Sequence, residues 1–258
     1  MKNTELRQTT IKHLPLYLIT AAIAVLAKYL CIIDDCDAFI WILAPTSRWV
    51  SILSGIPFEY LPHTGYINHF HRFLIAPACS GIRFMLITFL MLIFSFLHPA
   101  SALAKETSMK KSYLWFGFSM LFSYTASIFV NGIRISASIY LPIILENAGI
   151  IGGWLTQDKL HTIIGTLTYF SFLCILYPAA AFICRRGFLK TEKKEHFAPH
   201  SSLIPAFWYL LTILVIPTLG RIYRQDWTGF GQYGIIVLSI CLTVTMLSYL
   251  LHKRHSRL

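Results

Sequence analysis

Apolar positions in this chain are gathered into long blocks, and polar positions into short segments between them. The blocks predict helices that cross a membrane, because each reaches or approaches the ~20 apolar residues a bilayer core requires. The first covers residues 14–33. The second follows Cys79 and ends near Leu97. The others cover 113–140, 161–183, 203–219 and 233–251. The expected fold class is therefore all-α: a polytopic helical membrane protein of about six spans. The opening MKNTELRQTTIKH, followed by an apolar run, has no small-residue cleavage site, which predicts a retained first helix.

Residues 38–56, AFIWILAPTSRWVSILSGI, are apolar but carry Pro45 and Arg48. Trp41 and Trp49 suit a helix at the membrane interface on the outer side. The rival reading is a seventh crossing, which would invert everything downstream. With six spans and a cytoplasmic N-terminus, the inner segments are 1–13, 98–112, 184–202 and 252–258. They hold 14 of the 22 lysines and arginines, as the positive-inside rule expects. A crossing at 38–56 would divide those basic segments between the two sides.

Composition agrees with this picture. The chain of 258 residues is 56% hydrophobic and 13% charged, against about a quarter charged in a soluble domain. No soluble domain of useful size is left over. The net charge of +11 lies mostly in the inner segments, which argues for membrane lipid as a partner and against nucleic acid. Six cysteines occur without CxxC or zinc spacing. No metal site and no cofactor are expected.

The topology brings three chemically distinctive residues to one mouth of the bundle. Cys79, in APACSGIRF, opens the second span. A thiol attacks as its thiolate, which a helix N-terminus favours, and Pro77 is a residue suited to helix starts. Arg83, four residues on, is expected on the same face, where its charge would favour the thiolate. Arg134, in VNGIRI, ends the third span one turn after Asn131. An ionisable group so close to an apolar span points to function, against the reading that it snorkels to lipid headgroups. His161, in DKLHTIIGTLTYF, opens the fourth span and can relay protons near neutral pH, against the plainer reading of a histidine at the headgroups. Together they suggest acyl transfer. Cys79 would attack a peptide carbonyl, His161 would act as general acid or base, and Arg134 would stabilise the oxyanion. Ser80 is the rival nucleophile, without a serine–lysine or G-x-S-x-G arrangement around it.

PACSGIRF opening a span, NGIRI ending the next, and a histidine opening the one after resemble the exosortase/archaeosortase family, and exosortase K slightly more than other subtypes. The resemblance covers about residues 14–183. It implies a membrane-embedded cysteine transpeptidase or protease, multi-pass in a bacterial inner membrane, with its active site on the outer face and both termini cytoplasmic. Its partner would be the C-terminal sorting signal of exported proteins: a short motif, a transmembrane helix, then a basic tail. Such enzymes cut near the motif and hand the new carboxyl end to an acceptor or to water. The matching motifs make Cys79 the nucleophile, with Arg134 and His161 as the essential pair. Arg83, Asn131 and Ser80 stand beside them as supporting residues. The expected organisation is a catalytic core over 1–183. A cytoplasmic basic loop and two additional spans follow over 184–258, without an acceptor-binding domain.

Other signals carry less. LPHTG, residues 61–65, matches the signal that sortases cut, but it is not C-terminal and consists of ordinary turn residues. His63, His69 and His71 lack a nearby carboxylate or cysteine to complete a metal site and are expected in a loop. Cys31 and Cys36 could form a disulfide or stay free. Asp34, Asp35 and Asp37 suit a solvated helix end. RRGFLKTEKKEH, 185–196, suits a cytoplasmic loop that attracts anionic lipid. Gly165 and Thr168 would allow a helix to approach closely. Two rival functions stay open. One is a transporter or export component with Arg83 and Arg134 lining an anion path. The other is a scaffold for surface-polymer assembly, in which Cys79 is dispensable. Transporters place charges near the midplane, whereas here they cluster at one mouth.

Overall fold

A computed structural model describes residues 2–30, 36–102, 109–184, 186, 203–225 and 227–255. Cys31, Asp34, Asp35 and nearly all of 185–196 lie outside the described residues. The helices are α1 (Lys2–Leu30), α2 (Ile40–Ser54), α3 (Ile82–Ala102), α4 (Met109–Asn147), α5 (Gln157–Cys184), α6 (Leu203–Leu210), α7 (Ile216–Arg224) and α8 (Phe230–His255). A π-helical turn, Leu211–Val215, joins α6 to α7. Five stretches are long and apolar enough to cross a membrane: Pro77–Leu97, Met109–Asn147, Gln157–Cys184, Leu203–Ile222 and Phe230–Ser248. The protein is thus an all-α polytopic membrane protein. The first expected span is a helix as well, but its apolar stretch, His13–Ala27, is shorter than the others.

α3 is the hub. Of its apolar window, 72% is buried inside the protein, against 11% for Phe230–Ser248. Phe84, Ile87, Met91, Leu92 and Phe96 pack against Trp115, Phe170, Leu173 and Tyr177. Close approach of α4 to α3 has a sequence cause. Ser112, Trp115, Ser119, Ser123, Ser127, Asn131 and Arg134 recur every three or four residues along α4, on one buried face. Small side chains at that spacing let two helix backbones come together.

α2 is helical as expected, and it runs lengthwise along the second half of α4. Trp41 stacks on Tyr124 and Trp49 on Phe129. The Tyr124 hydroxyl donates to the Trp41 carbonyl at 2.8 Å, and Tyr140 donates to Ser54 at 2.6 Å. At Gly132 the Trp49 indole occupies the place a Cβ would take.

One element was not expected. Residues 59–75 form a three-stranded antiparallel sheet, β1 (Glu59–Leu61), β2 (Gly65–Asn68) and β3 (Phe73–Ile75), in the order β1-β2-β3. Strands of three or four residues are too short to show a periodic pattern. LPHTG makes the β1–β2 turn, where Thr64 N–H donates to Leu61 O at 3.1 Å and His63 takes a left-handed φ of 59°. Asp37 clasps this turn. Tyr60 donates its hydroxyl to Asp37, and the His63 amide donates to the same carboxylate at 3.1 Å. The Tyr60 hydroxyl, then the His63 amide, hold the Asp37 carboxyl below its ordinary range, and the same contact pushes the Tyr60 phenol up to about 12.

Two outcomes are expected. Gly132→Ala forces a Cβ into the Trp49 ring and lowers stability by about 1–3 kcal/mol, the usual range for overpacking, as read by thermal unfolding in detergent. Because the Asp37 carboxyl is depressed, its grip is fully present above the ordinary carboxylate range and is lost as pH falls below that range through the carboxyl's own lower value. Amide exchange over 59–68, corrected for intrinsic rates, should therefore quicken in acid. In Tyr60→Phe it should be fast already at neutral pH, with a flatter acid dependence.

Candidate functional site

The sheet delivers the chain to the site. After β3, Pro77–Cys79 forms a single 3-10 turn, and α3 starts only at Ile82. This corrects the expected placement of Cys79 in the first turn of the span. Gly81 intervenes with φ +78°, and a Cβ there would lie 2.9 Å from both Asn131 Cβ and Ser127 Oγ. Only glycine suits a left-handed position against that wall. Ser127 donates to the Gly81 carbonyl at 2.9 Å and locks the reversal. The break also corrects the expected pairing of Cys79 with Arg83, because the two no longer share a helical face. Half-buried Cys79 packs against the hydrophobic cluster beneath α2 and the sheet. Exposed Arg83 lines a cleft of about 380 Å³ that Cys79 itself does not line.

Arg134 occupies the centre. It is only 7% exposed, so it does not snorkel. Its Nη1 donates to Asn131 Oδ1 at 3.3 Å and to the Tyr169 hydroxyl at 3.2 Å, while Nη2 meets His161 Nε2 at 2.6 Å. A guanidinium has donors only. His161 Nε2 is therefore the acceptor, and the ring is neutral with its proton on Nδ1. Tyr169 passes its own proton to Asn131 Oδ1 at 2.8 Å. Asn131 Nδ2 then donates to the carbonyl of Cys79. The fully buried Asn131 thus ties the cysteine's main chain to the arginine.

Every partner of Arg134 is neutral. Among the described residues no carboxylate pairs with it, and its buried Nε has no hydrogen-bond partner. A buried cation is costly unless compensated, so this site holds a positive charge ready for an anion. The Cys79 sulfur and Tyr169 are within electrostatic range of it. His161 is exposed at the cleft, with Asp158 of the same helix in electrostatic range. Buried Ser80 also lines the cleft.

The structure therefore joins Arg134, His161 and Asn131 side chain to side chain. It reaches Cys79 through its carbonyl and separates Arg83 from it. Sequence reasoning missed Tyr169, which stacks on Phe84 with ring centroids 4.9 Å apart and carries the guanidinium over its face at 5.4 Å. A signal existed: His161, Gly165 and Tyr169 recur at four-residue spacing on α5, and Gly165 leaves the space beside Arg134 Nε. Tyr209 and Tyr233, on the far wall of the cleft, had no such signal.

Asn131→Ala strips buried partners from Arg134 and Tyr169 and should cost about 1–3 kcal/mol in thermal unfolding. Tyr169→Phe should cost about 1 kcal/mol. Asn131→Asp supplies a carboxylate to Arg134 but no longer donates to the Cys79 carbonyl, so it should recover part of the loss seen with alanine. Equal destabilisation by Asp and Ala would contradict an uncompensated charge at Arg134.

Comparison of the chain with protein families, curated proteins and solved structures finds no match to any of the three.

Proposed function

We propose that this chain is a membrane-embedded cysteine transpeptidase or protease of the exosortase type. It cleaves the C-terminal sorting signal of an exported protein at the end of the bundle where α3 and α5 begin. With a cytoplasmic N-terminus this end faces outward, across a bacterial inner membrane. The observation that carries the reading is the buried Arg134 guanidinium. It has no carboxylate among the described residues, it bonds directly to His161, and it is tied through Asn131 to the main chain of Cys79.

The proposed chemistry follows from those groups. Cys79 gives its proton to neutral His161, and the thiolate attacks the scissile carbonyl. A C–S bond forms, and the negative charge that develops on oxygen is met by Arg134. His161 Nε2 gains a proton only as its bond from Arg134 opens. Protonation of the histidine and release of the guanidinium toward the oxyanion are thereby coupled. Collapse of the adduct breaks the C–N bond, and His161 returns its proton to the leaving amine. The thioester is then attacked by water or by an acceptor nucleophile. That nucleophile's proton passes to His161, and the Cys79 thiolate leaves. Neither metal nor cofactor takes part in this scheme.

One observation favours the transporter reading. The π-turn Leu211–Val215 interrupts the span Leu203–Ile222, and its Ile213 lines the cleft. Broken helices beside charged groups are a transporter feature. In the cluster, His161 lies in the second turn of α5, whereas Arg134 and Asn131 lie 13 and 16 residues before the end of α4.

Processing of the tailed substrate in cells decides between them, with wild type and variants at equal membrane abundance. Cys79→Ala should abolish processing and leave a precursor that keeps its C-terminal helix. Arg134→Ala and His161→Ala should each slow it on the order of a hundredfold or more. Normal processing in Cys79→Ala would end the acyl-transfer reading and leave transport or scaffolding.

A further inference from the structure

The cleft beside Arg134 has two unlike walls. One comes from the start of α3, from α4 and from α5, and carries Arg83, Arg134, Thr162 and Thr166. The other comes from the helices after residue 202 and carries Tyr209, Ile213 and Tyr233. These last helices had no assigned role. They complete the cleft.

Two cations face this space, and among the described residues no acid lines it. Arg134 is more than nine-tenths buried, and its Nε lacks a partner. Arg83 is exposed at the cleft and makes no hydrogen bond or ion pair with any described residue. The groups in its electrostatic range are Tyr169 and Tyr233. Asp158 is in range of His161 but forms no ion pair with either arginine. Two like charges around one partly apolar space raise the local concentration of anions. A guanidinium fork matches the oxygens of a phosphate group, which a second arginine can share. The Ser80 hydroxyl supplies a neutral donor on the same wall, while Thr162 gives its proton to the Asp158 carbonyl at 3.0 Å. Tyr169, Tyr209 and Tyr233 line the cleft, and tyrosine is a residue enriched where a bilayer meets water.

We infer that this cleft is a binding site for a phosphate group, with Arg83 as its outer cation, Arg134 as its inner one, and Tyr233 of α8 on its facing wall. The phosphate can belong to a lipid headgroup entering from the membrane or to a free phosphorylated molecule. The inference does not rest on acyl transfer, because Cys79 does not line the cleft.

The test uses the full chain in a neutral detergent at constant ionic strength. Thermal midpoints are measured against dihexanoyl phosphatidylglycerol, glycerol phosphate and inorganic phosphate, with chloride as the control. A saturable rise in midpoint is expected with at least one phosphate ligand. A response to the lipid alone assigns a headgroup site, and a response to glycerol phosphate or inorganic phosphate as well assigns a free phosphate. Arg83→Gln should weaken the apparent affinity on the order of tenfold, and Arg83→Lys should weaken it less. Arg48→Ala, an exposed arginine of α2, should leave the affinity unchanged, and so should Cys79→Ala. The ligand-free midpoint of each variant reports whether it folds. No saturable rise in wild type, a rise that survives Arg83→Gln, or a loss shared by Arg48→Ala would overturn the site. Binding that persists in Cys79→Ala alongside failure of the processing experiment would reject the enzyme reading and leave this one standing.

Discussion

A positive charge buried among neutral partners governs this structure. Arg134 is held by an asparagine, a tyrosine and a neutral histidine, none of which cancels its charge. Such a group would be expelled from an apolar bundle unless its donors were occupied and its surroundings rigid. The neighbouring architecture fixes the surroundings and occupies both Nη groups, leaving Nε without a partner. The serine face of α4 draws α3 close, Gly81 lets the chain turn against Asn131, and Ser127 locks that turn. Gly165 on α5 opens the space that the guanidinium enters.

The rest of the fold divides into a frame and a cover. The frame is the aromatic and aliphatic cluster around α3, which holds α4 and α5 in register. The cover is a second cluster under α2 and the small sheet, and Cys79 packs against it. The site lies on the seam between them. Cys79 and His161 are connected through Asn131 and Arg134. The cleft that His161 lines also takes in Ala78 and Ser80, the neighbours of Cys79 in the chain, and is bounded by Tyr233 of α8.

Much of the fold was legible in the chain, because crossing a bilayer demands long apolar runs whatever their neighbours are. The spans 113–140 and 161–183 correspond closely to α4 and α5, and the helix over Ile40–Ser54 was visible in its tryptophans. Of the site, Arg134, Asn131 and His161 stood out because polar groups beside apolar spans are costly and therefore rare. The sheet left no mark in the pattern, since its strands are too short. Arg83 and Cys79 were misjudged together for a local reason. Four-residue spacing implies a shared face only if the helix is continuous, and Gly81 interrupts it.

The sequence by itself determined that this is a polytopic helical membrane protein and singled out its unusual polar residues. It did so because apolar block length and the cost of burying polar groups are local properties. Only the tertiary structure decided which of those residues meet. Tyr169 became a partner of Arg134 because α5 crosses α4 at Gly165. Arg134 proved to lack a carboxylate among the described residues, because no acid of another described element reaches it. Tyr233 entered the cleft because α8 packs beside α5. Each of these depends on contacts between residues far apart in the chain, which no local pattern specifies.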